Sequence, residues 1–273
     1  MDQLPPAIPA WVGGLLLAWL MLGVAVYFSV IRRIVAGGGK VDTLKFKDTD
    51  LWVSAGLVVY FILTIANGFG APEHDVSQKE IVHGALLFLG VVVLLGLFMQ
   101  FRGINPFRQF GIPRSNPFLC LAIAAGLVIS AHPLILLTEA ITTAATHGKE
   151  HAQNVVEFFL NASERSDRKA VWIMLVLAGV VAPVVEETMF RGYLYGVLKR
   201  YLGGVGAGLF TAGLFAAMHM NVAALPALFL LALCLTLAYE ATGSLLVNIF
   251  MHGLFNLSML VAILILAPHA PAP

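Results

Sequence analysis

The chain has 273 residues, of which 59% are hydrophobic and 11% charged, with a formal net charge of +1. Soluble domains carry about 25% charged residues, so this composition excludes a soluble globular protein and fits a polytopic membrane protein. The low net charge, without any basic run or RNA-binding signature, argues for no nucleic-acid partner.

A helix needs about 20 apolar residues to cross the hydrocarbon core. Uncharged runs at 9–31, 51–71, 81–101 and 117–138 predict the first four spans. Only Asp2 precedes Arg32 among charged residues, so the first run lacks a basic leader and reads as a retained helix. The segment 139–169 reads as a soluble loop insertion of mixed charge, with room for a short amphipathic helix. A fifth run begins at Ala170 and stays uncharged to Val185. From Tyr201 to Tyr239 there is again no formal charge, a stretch too long for one helix, and Asn221 and Pro226 predict its break at 220–226. A last span covers about 244–267. The expected fold is all-α, a polytopic transmembrane helix bundle of about eight spans in a single integral membrane domain, with 170–267 as its functional helices. Cys120 and Cys234 each lie inside an apolar run and read as packed thiols.

Lys and Arg favour the cytoplasmic side in short loops. Arg32, Arg33, Lys40, Lys45 and Lys47 follow the first span. Arg102, Arg108 and Arg114 follow the third, and Arg191, Lys199 and Arg200 lie at the end of the fifth. The loop after the second span, with Glu73, His74, Asp75, Lys79 and Glu80, is mostly acidic. Basic loops in the cytoplasm and both termini outside satisfy this pattern. An Ala/Gly/Leu-rich chain with short loops suits a prokaryotic inner membrane.

The informative residues are polar ones in apolar surroundings. A carboxylate in hydrocarbon costs about 2.5–3.5 kcal/mol on insertion scales, which makes it a functional-site candidate by default. Glu187 and Arg191 are four apart and share a helix face, so the arginine can neutralise that acid. Glu186 is turned about 100° away and is left as a candidate base. Phe215 and His219 share a face, as do His252 and Asn256. One glutamate and two histidines can activate a water, the glutamate taking its proton while the histidines and Asn256 stabilise an oxyanion. Glu186, His219 and His252 equally match the three-ligand complement of a catalytic zinc or another divalent metal. The two readings stay open on the residues alone, although the His-Glu-x-x-His signature is absent.

The three motifs Glu186-Glu187-x-x-x-Arg191, Phe215-x-x-x-His219 and His252-x-x-x-Asn256, in that order within apolar helices, resemble the CPBP family, also called the Abi or type II CAAX-prenyl protease family. The resemblance implies an intramembrane endopeptidase acting on membrane-associated peptides or prenylated C-termini, with membrane lipid as its other partner. It further implies Glu186 as the water-activating glutamate, His219 and His252 as catalytic histidines and Asn256 as the oxyanion asparagine. Glu187, Arg191 and Phe215 take supporting roles. A cofactor is left undecided, since the family has been described both as metalloproteases and as glutamate proteases without a tightly held metal. The competing expectations are a catalytically silent scaffold or bacteriocin-immunity protein of the same fold, and a proton-coupled carrier. The carrier would more often show inverted repeats, and none is visible.

Other residues carry weaker signals. His132 precedes Pro133 at an expected kink, and His83 opens the third span at the interface. Asn248, one turn before His252, is placed to support it, while Thr211 and Tyr195 are unsupported candidates. Asn161-Ala162-Ser163 is a sequon of a kind common by chance. The run Gly203-Gly204-x-Gly206-x-Gly208 reads as close helix packing rather than a phosphate loop. His219 falls near the far end of its span, and a sixth helix starting near Gly208 would restore it to the depth of the other groups.

Overall fold

The computed structural model describes residues 9–68, 77–112, 116–146, 154–165 and 167–266. Asp2, Glu73, His74, Asp75 and Arg114, named above, and the last residue of the 244–267 span lie outside these. The described residues are helical throughout, with short connections. Helix α1 spans Ala10–Gly37, α2 Asp48–Gly68, α3 Gln78–Phe101, α4 Pro106–Gln109, α5 Pro117–Ala145 and α6 Asn154–Glu164. Then come α7 Arg168–Val176, α8 Ala182–Glu187, α9 Gly196–Met218, α10 Leu225–Thr242 and α11 Leu245–Leu266. Two π-helical stretches, Leu177–Val181 and Thr188–Tyr195, join α7, α8 and α9 into one continuous run.

Among the described residues, 7 helices are long and apolar enough to cross a membrane, the longest covering Arg168–Met218. That helix contains Gly203 at φ 71° and ψ 170°, a conformation essentially restricted to glycine. The reversal there divides it in two, which recovers the eight segments read from the sequence. Arg191 and Phe215 lie equally far along the chain from Gly203 and meet, with the guanidinium 4.4 Å from the ring centre. Glu187 and His219 are likewise equidistant from Gly203. The hairpin register therefore brings His219 to the level of the acids, with its second arm beginning at Gly204 rather than at Gly208.

The connections after the first, third, fifth and seventh segments meet at one end of the bundle. The backbone N–H of Lys40 donates to the Glu240 carbonyl at 2.8 Å, and that of Leu245 to the Phe110 carbonyl at 2.9 Å. The ammonium of Lys199 sits 2.5 Å from Glu240 Oε1 and also reaches the Val41 carbonyl. Residues of all the basic loops thus share this end. The segment expected as a loop insertion is in part helix: α5 runs on to Ala145, and α6 buries Phe159 against Met174 and Leu260.

Pro133, inside α5, has no N–H to offer the Ile129 carbonyl. The Trp19 indole of α1 takes that carbonyl instead, at 2.9 Å. Alongside, a Cβ on Gly23 would lie 2.4 Å from the Ser130 carbonyl oxygen, so α1 and α5 touch backbone to backbone. His132 belongs to the α5–α11 joint, with Nδ1 at 2.7 Å from the Val128 carbonyl, Nε2 at 2.8 Å from Ser258 Oγ and its ring against Phe255.

Candidate active site

The two π-helical stretches bracket α8, the turn and a half that carries both acids. Such stretches appear mostly as local insertions in α-helices and are frequent at functional sites. In the first, the N–H of Ala182 bonds back to the Leu177 carbonyl. The next residue is Pro183, which has no N–H for the Ala178 carbonyl. Asn256 of α11 fills that position, its Nδ2 donating to Ala178 O at 2.9 Å. Beside it, a Cβ on Gly253 would lie 2.3 Å from the Gly179 carbonyl oxygen, so α11 approaches this stretch at backbone contact. Proline on one helix and glycine on the other together bring the His252-to-Asn256 face against α8.

Glu187 is completely buried and fully partnered. Its Oε1 accepts from Arg191 at 2.7 Å and from His252 Nδ1 at 2.8 Å, and its Oε2 accepts from Asn248 Nδ2 at 3.2 Å. Arg191 is equally buried, bonds the Ala232 carbonyl at 3.3 Å and lies over the Phe215 ring. A buried ion pair is tolerable when further hydrogen bonds satisfy both partners, as here. With three donors on it and no exposure, Glu187 is committed to holding its neighbours.

Glu186 differs in every respect. Its side chain is 27% exposed, and its Oε2 lies 3.9 Å from His252 Nε2. That oxygen has no hydrogen-bond partner. The gap is too long for a direct hydrogen bond. Because Nδ1–H of His252 is held by Glu187, the neutral imidazole has its lone pair on Nε2, facing Glu186.

Phe215 is the packing hub of the site. Its ring touches Phe190 at 5.3 Å, His219 at 4.9 Å and His252 at 5.8 Å between centres. His219 caps the end of α9 and holds Nδ1 2.9 Å from the Phe215 carbonyl, which leaves Nε2 free. All seven residues singled out from the motifs therefore belong to one region. Asn248 joins them, bound to Glu187 and to the Leu235 carbonyl at 2.8 Å. Tyr195 and Thr211 do not, for Tyr195 bonds Glu240 at 2.5 Å and Thr211 bonds its own helix at Ala207. His83 is exposed on α3.

As placed, Glu186, His219 and His252 do not converge into a three-ligand metal site. Among the described residues no three His, Cys, Asp or Glu side chains gather closely enough to hold an ion. His252 and His219 each give Nδ1–H to an acceptor and keep Nε2 available, as a metal-ligating histidine also would, so it is the spacing of the side chains and not their hydrogen bonding that fails to form a three-ligand site.

Sequence reasoning missed Phe190, stacked on Phe61 at 5.1 Å, and the helix carbonyls of Ala232 and Leu235 that accept from Arg191 and Asn248. It also missed the trio of buried Tyr195 and Glu240 with half-buried Lys199, which lies at the basic end rather than in the site.

A protein-family comparison matches residues 168–258 to the type II CAAX prenyl endopeptidase Rce1-like family. Over this stretch, about a third of the chain, the protein resembles that family. The resemblance carried by the three motifs is thereby borne out over the stretch that contains them. No curated protein and no solved structure matches the chain. The Rce1-like segment starts with α7 and reaches into α11, so it contains every residue of the constellation. The match supports an intramembrane protease of the CAAX-processing kind, in a protein whose helices are those of an integral membrane protein.

Proposed function

We propose that this protein is an intramembrane endopeptidase that hydrolyses membrane-associated substrates of the prenylated CAAX type by glutamate-activated water. The observation that carries this reading is the Glu186 carboxylate, partly exposed, with Oε2 unpartnered and 3.9 Å from His252 Nε2. The Rce1-like match supports the reaction class and the substrate class.

In the proposed reaction, a water bound at Glu186 beside His252 loses a proton to Glu186 as its oxygen bonds to the scissile carbonyl carbon. The oxyanion meets the second amide hydrogen of Asn256, and Nε2 of His219 and of His252 can donate to it only when those rings are doubly protonated, since each Nδ1–H is already given to an acceptor. The carbon–nitrogen bond then breaks as Glu186 returns the proton to the leaving amine. Glu187 and Arg191 hold His252, and Phe215 spaces the two histidines. The protein is assigned to a prokaryotic inner membrane, with its basic end in the cytoplasm.

The test is cleavage of a quenched prenylated C-terminal peptide by purified protein in detergent. Wild type is compared with Glu186→Ala, each with and without a chelator. Cleavage lost in Glu186→Ala and indifferent to chelator supports the reading. Cleavage unchanged in Glu186→Ala overturns the catalytic assignment, and cleavage abolished by chelator brings back a metal mechanism. No cleavage by wild type across prenylated and unprenylated peptides favours the silent scaffold.

A further inference from the structure

Asn248 lies outside the three motifs, yet it is completely buried beside the acids. Its Nδ2 donates twice, to Glu187 Oε2 at 3.2 Å and to the Leu235 carbonyl at 2.8 Å. Both partners are acceptors. Turning the amide over would set its oxygen against a carboxylate and a carbonyl, so the two contacts define its orientation. Asn248 Oδ1 then points where no donor meets it. A buried acceptor in that state has lost its water without a replacement, so the residue is a costly choice if filling space is all it does.

We infer that Asn248 is a positioning residue that works through Glu187 on His252. A carboxylate held at one oxygen only can rotate about its Cγ–Cδ bond. Arg191 and His252 both load Oε1, and Asn248 is the donor on Oε2. Its second bond ties that donor to the backbone of α10. The plane of the Glu187 carboxylate is therefore anchored from α8, α10 and α11 together, and that plane aims the acceptor for His252 Nδ1–H. The direction of His252 Nε2, and hence its distance to Glu186, follows. Misplacing a reacting group by about 1 Å can cost on the order of a hundredfold in rate.

The catalytic part of this inference rests on the protease reading, and the positioning part does not. Two variants separate the roles. Asn248→Leu has similar bulk and no donor. Asn248→Gln restores an amide donor. For the cleaved peptide, kcat is expected to fall by about ten- to a hundredfold in Asn248→Leu with KM nearly unchanged. Asn248→Gln is expected to regain most of the loss. The second readout needs no substrate. The His252 Nδ1–H proton, buried against a carboxylate, should give an exchange-protected, far-downfield NMR signal in detergent, assigned by its loss in His252→Ala. That signal is expected to broaden or vanish in Asn248→Leu and to return in Asn248→Gln. Should Asn248→Leu fail to fold, Asn248→Ser serves, since its hydroxyl is too short to reach Glu187. A folded donor-free variant with an unchanged signal overturns the inference whether or not wild type cleaves the peptide. An unchanged kcat overturns its catalytic part. If wild type cleaves nothing but the signal behaves as described, the protease reading fails and the positioning of His252 stands.

Discussion

His252 and Glu187 share a 2.8 Å hydrogen bond from Nδ1 to Oε1, and this contact gives the two adjacent acids different work. Glu187 is committed to buried partners on three residues, whereas Glu186 is partly exposed as a side chain and has an unpartnered oxygen. Replacing one should chiefly damage the fold, and replacing the other chiefly the chemistry.

Glu187→Ala strands the Arg191 cation in a dry interior, at a cost of about 3–5 kcal/mol. Arg191→Ala strands the Glu187 carboxylate at a similar cost. Removing both leaves neither charge unpaired, so the double variant should lose clearly less than the sum of the single ones. Denaturant unfolding in micelles, read as a double-mutant cycle, checks this. Strict additivity would mean that the pair is not coupled.

Glu186→Gln removes a negative charge that has no hydrogen bond at Oε2 and is partly exposed. Its unfolding free energy should stay within about 0.5 kcal/mol of wild type. Cleavage of the peptide should fall by at least about a hundredfold, as expected for loss of a general base. A variant that unfolds early while the surviving protein keeps full activity would reverse the roles assigned to the two acids.

Gly253 and Gly179 face each other across the contact that seats Asn256 and His252 on α8, and a methyl group added to each meets different matter. On Gly253 it would lie 2.3 Å from a backbone carbonyl, which cannot yield unless α11 shifts. On Gly179 it would meet the branched end of Leu257 at 2.8 Å, which can rotate away. Gly253→Ala should therefore cost about 1–3 kcal/mol and most of the activity, and Gly179→Ala less of both. Parallel thermal unfolding and cleavage assays decide, and equal effects would argue against backbone contact at this site.

Much of the site is legible in the sequence because hydrocarbon makes polar residues conspicuous. An uncharged run from Ala170 to Val185 followed by two acids is enough to mark it, and four-residue spacing correctly pairs Glu187 with Arg191. What could not be read depends on the backbone. A φ of 71° at Gly203 places His219 level with Glu187, and nothing in a glycine-rich run says which glycine turns. Pro183 frees the Ala178 carbonyl only because the preceding turn is π-helical, so the partner of Asn256 is invisible to an α-helical reading. The contacts of Arg191 and Asn248 with Ala232 and Leu235 involve backbone atoms, which side-chain patterns do not encode.

The same reasoning extends to the basic end of the bundle, where Glu240 closes the connection between α1 and α2. Its carboxylate takes the Tyr195 hydroxyl and the Lys199 ammonium, each at 2.5 Å, and lies 3.5 Å from the Val41 N–H. Lys199 in turn holds the Val41 carbonyl at 3.1 Å, and Arg200 holds that of Leu44 at 2.9 Å. This seats Phe46 edge-on against Tyr193, one residue from the Gly192 contact with Phe110. Glu240→Ala leaves Tyr195 and Lys199 without their shared acceptor, worth about 1–3 kcal/mol, while the site near Glu186 keeps its own bonds. Each 1.4 kcal/mol changes a local opening equilibrium tenfold, so trypsin should cut after Lys40, Lys45 or Lys47 roughly tenfold faster in Glu240→Ala than in wild type. Glu240→Gln, which keeps an acceptor oxygen for Tyr195, should lie between the two. Identical digestion rates in all three proteins would show that this connection is held by the burial of Val41 and Phe46 and not by the carboxylate.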